Sequence, residues 1–207
     1  MTNTAPFVTN IFIGNEFACS STSVVNAVFD DLGRLIKPET GLLSFEINWF
    51  KESHTLMRWP FSQITAQSHH LRMLKIRFLD NTTDDNRSLI MEFCGEVATT
   101  SCTLNTLHFE LIGSSQSEGE QFWSTLANDD EFTSLTHLTI EYEKSWFENE
   151  SEECIAPLMI VLARQTALTS LYMGGHCEFQ VNDLSRKQAR RIRESALSAN
   201  PECGITG

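Results

Sequence analysis

The sequence predicts an α/β fold: a parallel β-sheet whose strands alternate with helices in a repeating unit. Two observations predict it. The pattern L-x-x-L-x-L recurs as Leu42-Leu-Ser-Phe45-Glu-Ile47, Leu71-Arg-Met-Leu74-Lys-Ile76, Leu104-Asn-Thr-Leu107-His-Phe109, Leu135-Thr-His-Leu138-Thr-Ile140 and Leu168-Thr-Ser-Leu171-Tyr-Met173. Successive copies start 29, 33, 31 and 33 residues apart. After each copy the apolar period lengthens from two toward that of a helix, so every unit reads as strand then helix. Units of that kind connect by right-handed crossovers, which makes the sheet parallel.

The elements follow in chain order. A weak strand pattern at Val8, Ile11 and Ile13 precedes an amphipathic helix over Ser21–Ile36, with Val25, Val28, Phe29, Leu32, Leu35 and Ile36 apolar and Pro38 just past its end. Residues 56–66 surround Pro60 and predict a short, irregular turn, in keeping with the shortest interval. Arg87–Thr99 places Leu89, Ile90, Phe93, Cys94 and Val97 on one helical side. Glu120–Asn128 does so with Phe122, Trp123 and Leu126, and Glu152–Arg164 with Ile155, Leu158, Met159 and Leu162. A last helix over Asp183–Ser198 is sparse in apolar residues, as the end of a stacked array needs.

Length and composition bound the function classes. At 207 residues with 41% hydrophobic residues, one soluble domain with a sizeable core is expected. No apolar run is long enough to span a membrane, and Met1–Phe7 lacks the basic and apolar regions of a secretory signal. A formal net charge of −12 argues against nucleic acid, whose phosphates need clustered positive charge. The six cysteines show no paired or zinc-ligand spacing, so free thiols in a reducing cytoplasm are expected.

The five hexads resemble the leucine-rich-repeat family, in particular its long-repeat, ribonuclease-inhibitor-like class. The resemblance implies a short solenoid, or horseshoe, with the parallel sheet on the concave side and helices on the convex side. It divides residues 1–207, as one domain, into an N-terminal cap (1–41), repeats (42–181) and a C-terminal helical cap (182–207). The chain departs from the family after the hexad. Where the family carries Asn or Cys, these repeats carry Phe50, Leu79, Ile112, Glu143 and His176. The residue before is apolar or aromatic in four copies (Trp49, Phe78, Leu111, Tyr142), so strict alternation continues one step further. Longer strands and no asparagine ladder are therefore expected.

Period two sends the residues between the buried ones to the open face. Its columns read Ser44, Met73, Thr106, His137, Ser170; then Glu46, Lys75, His108, Thr139, Tyr172; then Asn48, Arg77, Glu110, Glu141, Gly174; and last Phe50, Leu79, Ile112, Glu143, His176. Apolar Phe50, Leu79 and Ile112 along one margin, beside charges of both signs, suit a protein partner better than a small metabolite. The candidate protein-binding residues are thus Glu46, Asn48, Phe50, Met73, Lys75, Arg77, Leu79, His108, Glu110, Ile112, His137, Glu141 and Tyr172. Two readings of the charges stand at this point: partner contacts, or pairing of Lys75, Arg77 and Glu110 across strands. The apolar margin likewise either meets a partner or lies under the following loops.

Two further stretches carry charge. Glu141–Glu153 holds six acids with Trp146 and Phe147, either a solvated lead-in to a helix or a protruding contact loop. Arg186, Lys187, Arg190, Arg191 and Arg193 make the last helix basic, as a soluble cap or a contact for an acidic partner or membrane.

Motifs for phosphate binding, serine nucleophiles and metalloproteases are missing from the sequence. Asp80–Asn86 lacks the glycine and the final glutamate of a calcium loop. The expectation is a non-enzymatic, cofactor-free protein-interaction module, monomer or weak homodimer, acting as adaptor, inhibitor or effector; an effector would be delivered into a host cytoplasm. The alternative is a cysteine- or metal-dependent enzyme. It would use His176 with Cys177, or His108 and His137 converging with Glu110 and Glu141 as metal ligands.

Overall fold

The computed structural model describes residues 9–13, 42–49, 65–66, 68–79, 84–112, 116–142, 152–175 and 183–206. Seven strands form one sheet: β1 (Asn10–Ile13), β2 (Ser44–Trp49), β3 (Met73–Leu79), β4 (Thr106–Ile112), β5 (His137–Tyr142), β6 (Ser170–Gly175) and β7 (Gly204–Thr206). Every pair is parallel and the spatial order is the chain order. Four helices join the later strands: α1 (Asp84–Thr100), α2 (Gln116–Ala127), α3 (Glu152–Arg164) and α4 (Asp183–Ala199). The α/β class and the parallel sheet are as the hexads require. The expected Ser21–Ile36 helix, most of the turn at 56–66, Phe50, Glu143, residues 144–151 of the acidic stretch, His176 and Cys177 lie outside the described residues.

The register turns the hexads into columns. Phe45, Leu74, Leu107, Leu138 and Leu171 are successive partners, and so are Ile47, Ile76, Phe109, Ile140 and Met173. Both columns are buried in one continuous core with Leu42, Leu71, Leu104, Leu135 and Leu168. Each such side chain contributes roughly 1.5–3 kcal/mol by leaving water. The helices close this face: Phe93 of α1 meets Phe45 edge-on at 5.6 Å, and Phe122 of α2 stacks on Phe109 at 4.6 Å. Gly95 lets α1 lie against α2, for a Cβ there would stand 2.8 Å from Thr125 Cγ2. Arg164, at the end of α3, donates to the carbonyl of Ala127 at the end of α2 and pairs with Asp130.

Strands β2 to β6 run six or seven residues, as the extended alternation predicts. Beyond the five hexads, β1 answers to the weak Val8 pattern. The last strand, β7, was not expected within the C-terminal helical cap. There Cys203 and Ile205 follow the last helix, Cys203 is buried, and Ile205 pairs in register with Leu171.

Side chains upstream of the strands bond to backbone carbonyls of the preceding repeat. Ser101 donates to the carbonyl of Leu71 at 2.6 Å, Ser134 to that of Leu104, and Asn200 to that of Leu168 at 2.9 Å. Each bond reaches back one repeat and satisfies a backbone group that the strand ladder leaves open. The repeat that begins at Leu135 has apolar Phe132 where its neighbours carry Ser101 and Gln165. There the fully buried Gln165 amide spans the gap, accepting from Leu135 N at 3.0 Å and donating to Phe132 O at 2.6 Å. Gln165→Leu keeps the volume and strands both backbone groups, so urea denaturation should show a loss of about 2–4 kcal/mol.

Candidate functional site

The face opposite the helices is built from the alternate strand positions, and register sets which side chains meet. The middle column runs Phe12, Glu46, Lys75, His108, Thr139, Tyr172 and Thr206. The next runs Asn48, Arg77, Glu110, Glu141 and Gly174. Apolar groups stand out from this lattice: Phe12 is 62% exposed, Tyr172 39% and Met73 38%. Tyr172 folds its ring over Gly174, where a Cβ would lie 2.5 Å from the tyrosine oxygen. Phe12 was missed in the sequence, because its short strand had no full hexad to assign a face.

Of the two readings of the charges, the structure shows pairing across strands. Lys75 Nζ lies 2.8 Å from Glu46 Oε1, and Arg77 Nε donates to Glu110 Oε2. Glu110 is a buried charged side chain, 1% exposed against 35% for Arg77. Arg77 is raised above the ordinary guanidinium value, chiefly by the hydrogen bond to Glu110; Glu110, Glu141 and Glu46 add to it and outweigh desolvation. Glu110 and Glu141 are register partners, a like-charge juxtaposition that would be unfavourable without cations nearby.

His108 sits between those two carboxylates. Its Nε2 is 3.3 Å from Glu141 Oε1 and 3.8 Å from Glu110 Oε2. These are ion-pair distances, yet the nitrogen is buried and its geometry makes no hydrogen bond. Desolvation pulls its pKa below the usual histidine value, overcoming the attraction of Glu141 and Glu110; Lys75 and Arg77 push the same way as burial.

Of the four residues expected to converge on this face, three do. His137 stands apart, exposed, with Nδ1 2.8 Å from Thr136 Oγ1. Leu79 and Ile112 are register partners at the ends of β3 and β4. Asn48, beside Arg77 in register, has a buried Oδ1 without a hydrogen-bond partner. Among the described cysteines, burial pushes the Cys94 and Cys203 thiols up, away from the thiolate a nucleophile needs. Cys102 is exposed, with Sγ 3.6 Å from the His69 carbonyl.

No protein-family model and no curated protein matches this chain. Among the described residues, no helix is long and apolar enough to cross a membrane. The site offers a ridge of paired charge with exposed aromatics on it, and one compact group of a nitrogen and two carboxylates.

Proposed function

We propose that the chain is a leucine-rich-repeat-like solenoid whose open sheet face is its concave surface and binds another protein, as adaptor, inhibitor or effector, without chemistry of its own. The observation that supports this most is the exposure of Phe12, Met73 and Tyr172 on a face that also carries ion pairs. Exposed apolar anchors set among charge are the composition of a protein interface, with the aromatics supplying affinity and the charges orientation. Lys75 and Glu46 serve such an interface as a paired unit, since freeing either for a partner costs the pair.

The test uses a variant confined to exposed positions: Phe12→Glu, Met73→Glu and Tyr172→Glu together, with folding checked by thermal melt. Affinity capture from a source lysate is followed by hydrogen-exchange mapping of any partner found. A protein held by the parent chain, lost in the variant and protecting β1 to β6 is the expected result. A partner that the variant captures equally well overturns the sheet face as the binding site.

A further inference from the structure

Same-face residues on one strand stand two apart, roughly 6.6 Å along the chain, and neighbouring strands are about 4.8 Å away. A long glutamate can therefore lean back toward a histidine two residues earlier on its own strand, and a second can reach the same point diagonally from the next strand. Glu110 and Glu141 do this around His108. One ligand atom from each lies within 4.8 Å of the other two.

The spacing is close to that of a coordination shell. Ligands held at about 2.0–2.1 Å by a tetrahedral ion stand roughly 3.3 Å apart. His108 Nε2 is 3.3 Å from one carboxylate oxygen and 3.8 Å from the other. An imidazole whose buried nitrogen makes no hydrogen bond and faces two carboxylates gains from a cation placed between all three. The surrounding charge permits it. Lys75 is already engaged with Glu46, and Arg77 holds Glu110 as an outer partner holds a ligating carboxylate, since each oxygen has a second lone pair.

We propose that His108, Glu110 and Glu141 form a site for a first-row divalent transition-metal ion of the Zn²⁺ or Co²⁺ type. One nitrogen and two oxygens are the donors such ions accept, whereas Ca²⁺ takes six to eight oxygens and Mg²⁺ prefers oxygens alone. Three protein ligands leave a tetrahedral ion one open position toward the open side of the sheet. The site stands independently of the protein-docking reading: it rests on ligand geometry and needs no partner.

The experiment titrates the chain, stripped by chelator, with ZnCl₂ by calorimetry and with CoCl₂ by visible absorption. One equivalent should bind, and the Co²⁺ complex should show d–d bands without a thiolate charge-transfer band. Glu141→Gln and His108→Gln should each weaken binding at least about 100-fold, because even outer-shell partners are worth 10–100-fold. His137→Gln should leave affinity unchanged, and Zn²⁺ should raise the melting temperature of the parent and of His137→Gln but of neither ligand variant. Glu141 is partly exposed, at 21%, so its isosteric variant should keep the fold, and the melts check this directly. Absence of binding, equal affinity in Glu141→Gln, or a thiolate band would each overturn the assignment.

Discussion

Trp123→Ala should lower the stability of this protein by about 3–5 kcal/mol, read as a fall in the urea midpoint at constant slope. Trp123 is among the largest fully buried side chains and lies at the centre of the core. Its ring meets Phe109 of β4 at 5.1 Å and Phe122, its neighbour on α2, at 5.0 Å, both edge-on, so it ties α2 to β4 through the Phe109 contact. Removing it forfeits the transfer energy of the indole and leaves a cavity that neighbours on a sheet and a helix cannot collapse to fill. Trp123→Phe separates these contributions. The indole Nε1 is buried without a hydrogen-bond partner, so losing that N–H returns part of the cost. The phenylalanine variant should therefore lose only about 1–2 kcal/mol, the remainder being packing. A loss as large as alanine's would mean that the N–H is satisfied, or that the site tolerates no vacancy at all.

Arg77→Met should cost about 2–3 kcal/mol, below the 3–5 kcal/mol of a wholly buried pair because the guanidinium is partly in water. The asymmetry lies with Glu110, which is buried while its arginine is not. Taking the arginine away leaves a desolvated carboxylate beside a second one in register at Glu141, with only the His108 imidazole between them, whose pKa burial lowers. Removing both charges reverses most of this. The double variant Arg77→Met, Glu110→Leu should return to within about 1 kcal/mol of the parent, since an apolar pair of similar volume avoids burying charge. A double-mutant cycle in denaturant measures the coupling directly. If Arg77→Met alone were neutral, the pair would be a surface contact and Glu110 would owe its position to other groups.

The repeat made much of the fold legible. Alternation at period two assigns every core position of β2 to β6, because a one-residue slip would expose the whole apolar set. The same alternation places His108, Glu110 and Glu141 on the open face before any coordinates exist. It does not say which of four nearby groups meet. His137 is on the correct face and the correct strand, but it pairs with Thr106, one same-face step away from the partner of His108. That step exceeds what a histidine ring can reach, whereas a glutamate side chain can lean across it.

Local period accounts for the periodic part: strand and helix order, the buried columns, the open face and its mixed charge. These follow from local period and need no knowledge of distant contacts. The rest depends on contacts between repeats. A three-residue strand such as β7 has too few positions to show a period, and its pairing with β6 defines it. The bonds of Ser101, Ser134, Gln165 and Asn200 each connect residues about one repeat apart, so their donors look like ordinary loop residues until the stack aligns them with open carbonyls. The burial of Glu110 against Arg77, and the histidine between two carboxylates with its pKa lowered by burial, arise because neighbouring strands hold their charges close while the sheet withdraws them from water. Pairing and desolvation belong to the assembled sheet, and no single strand carries them.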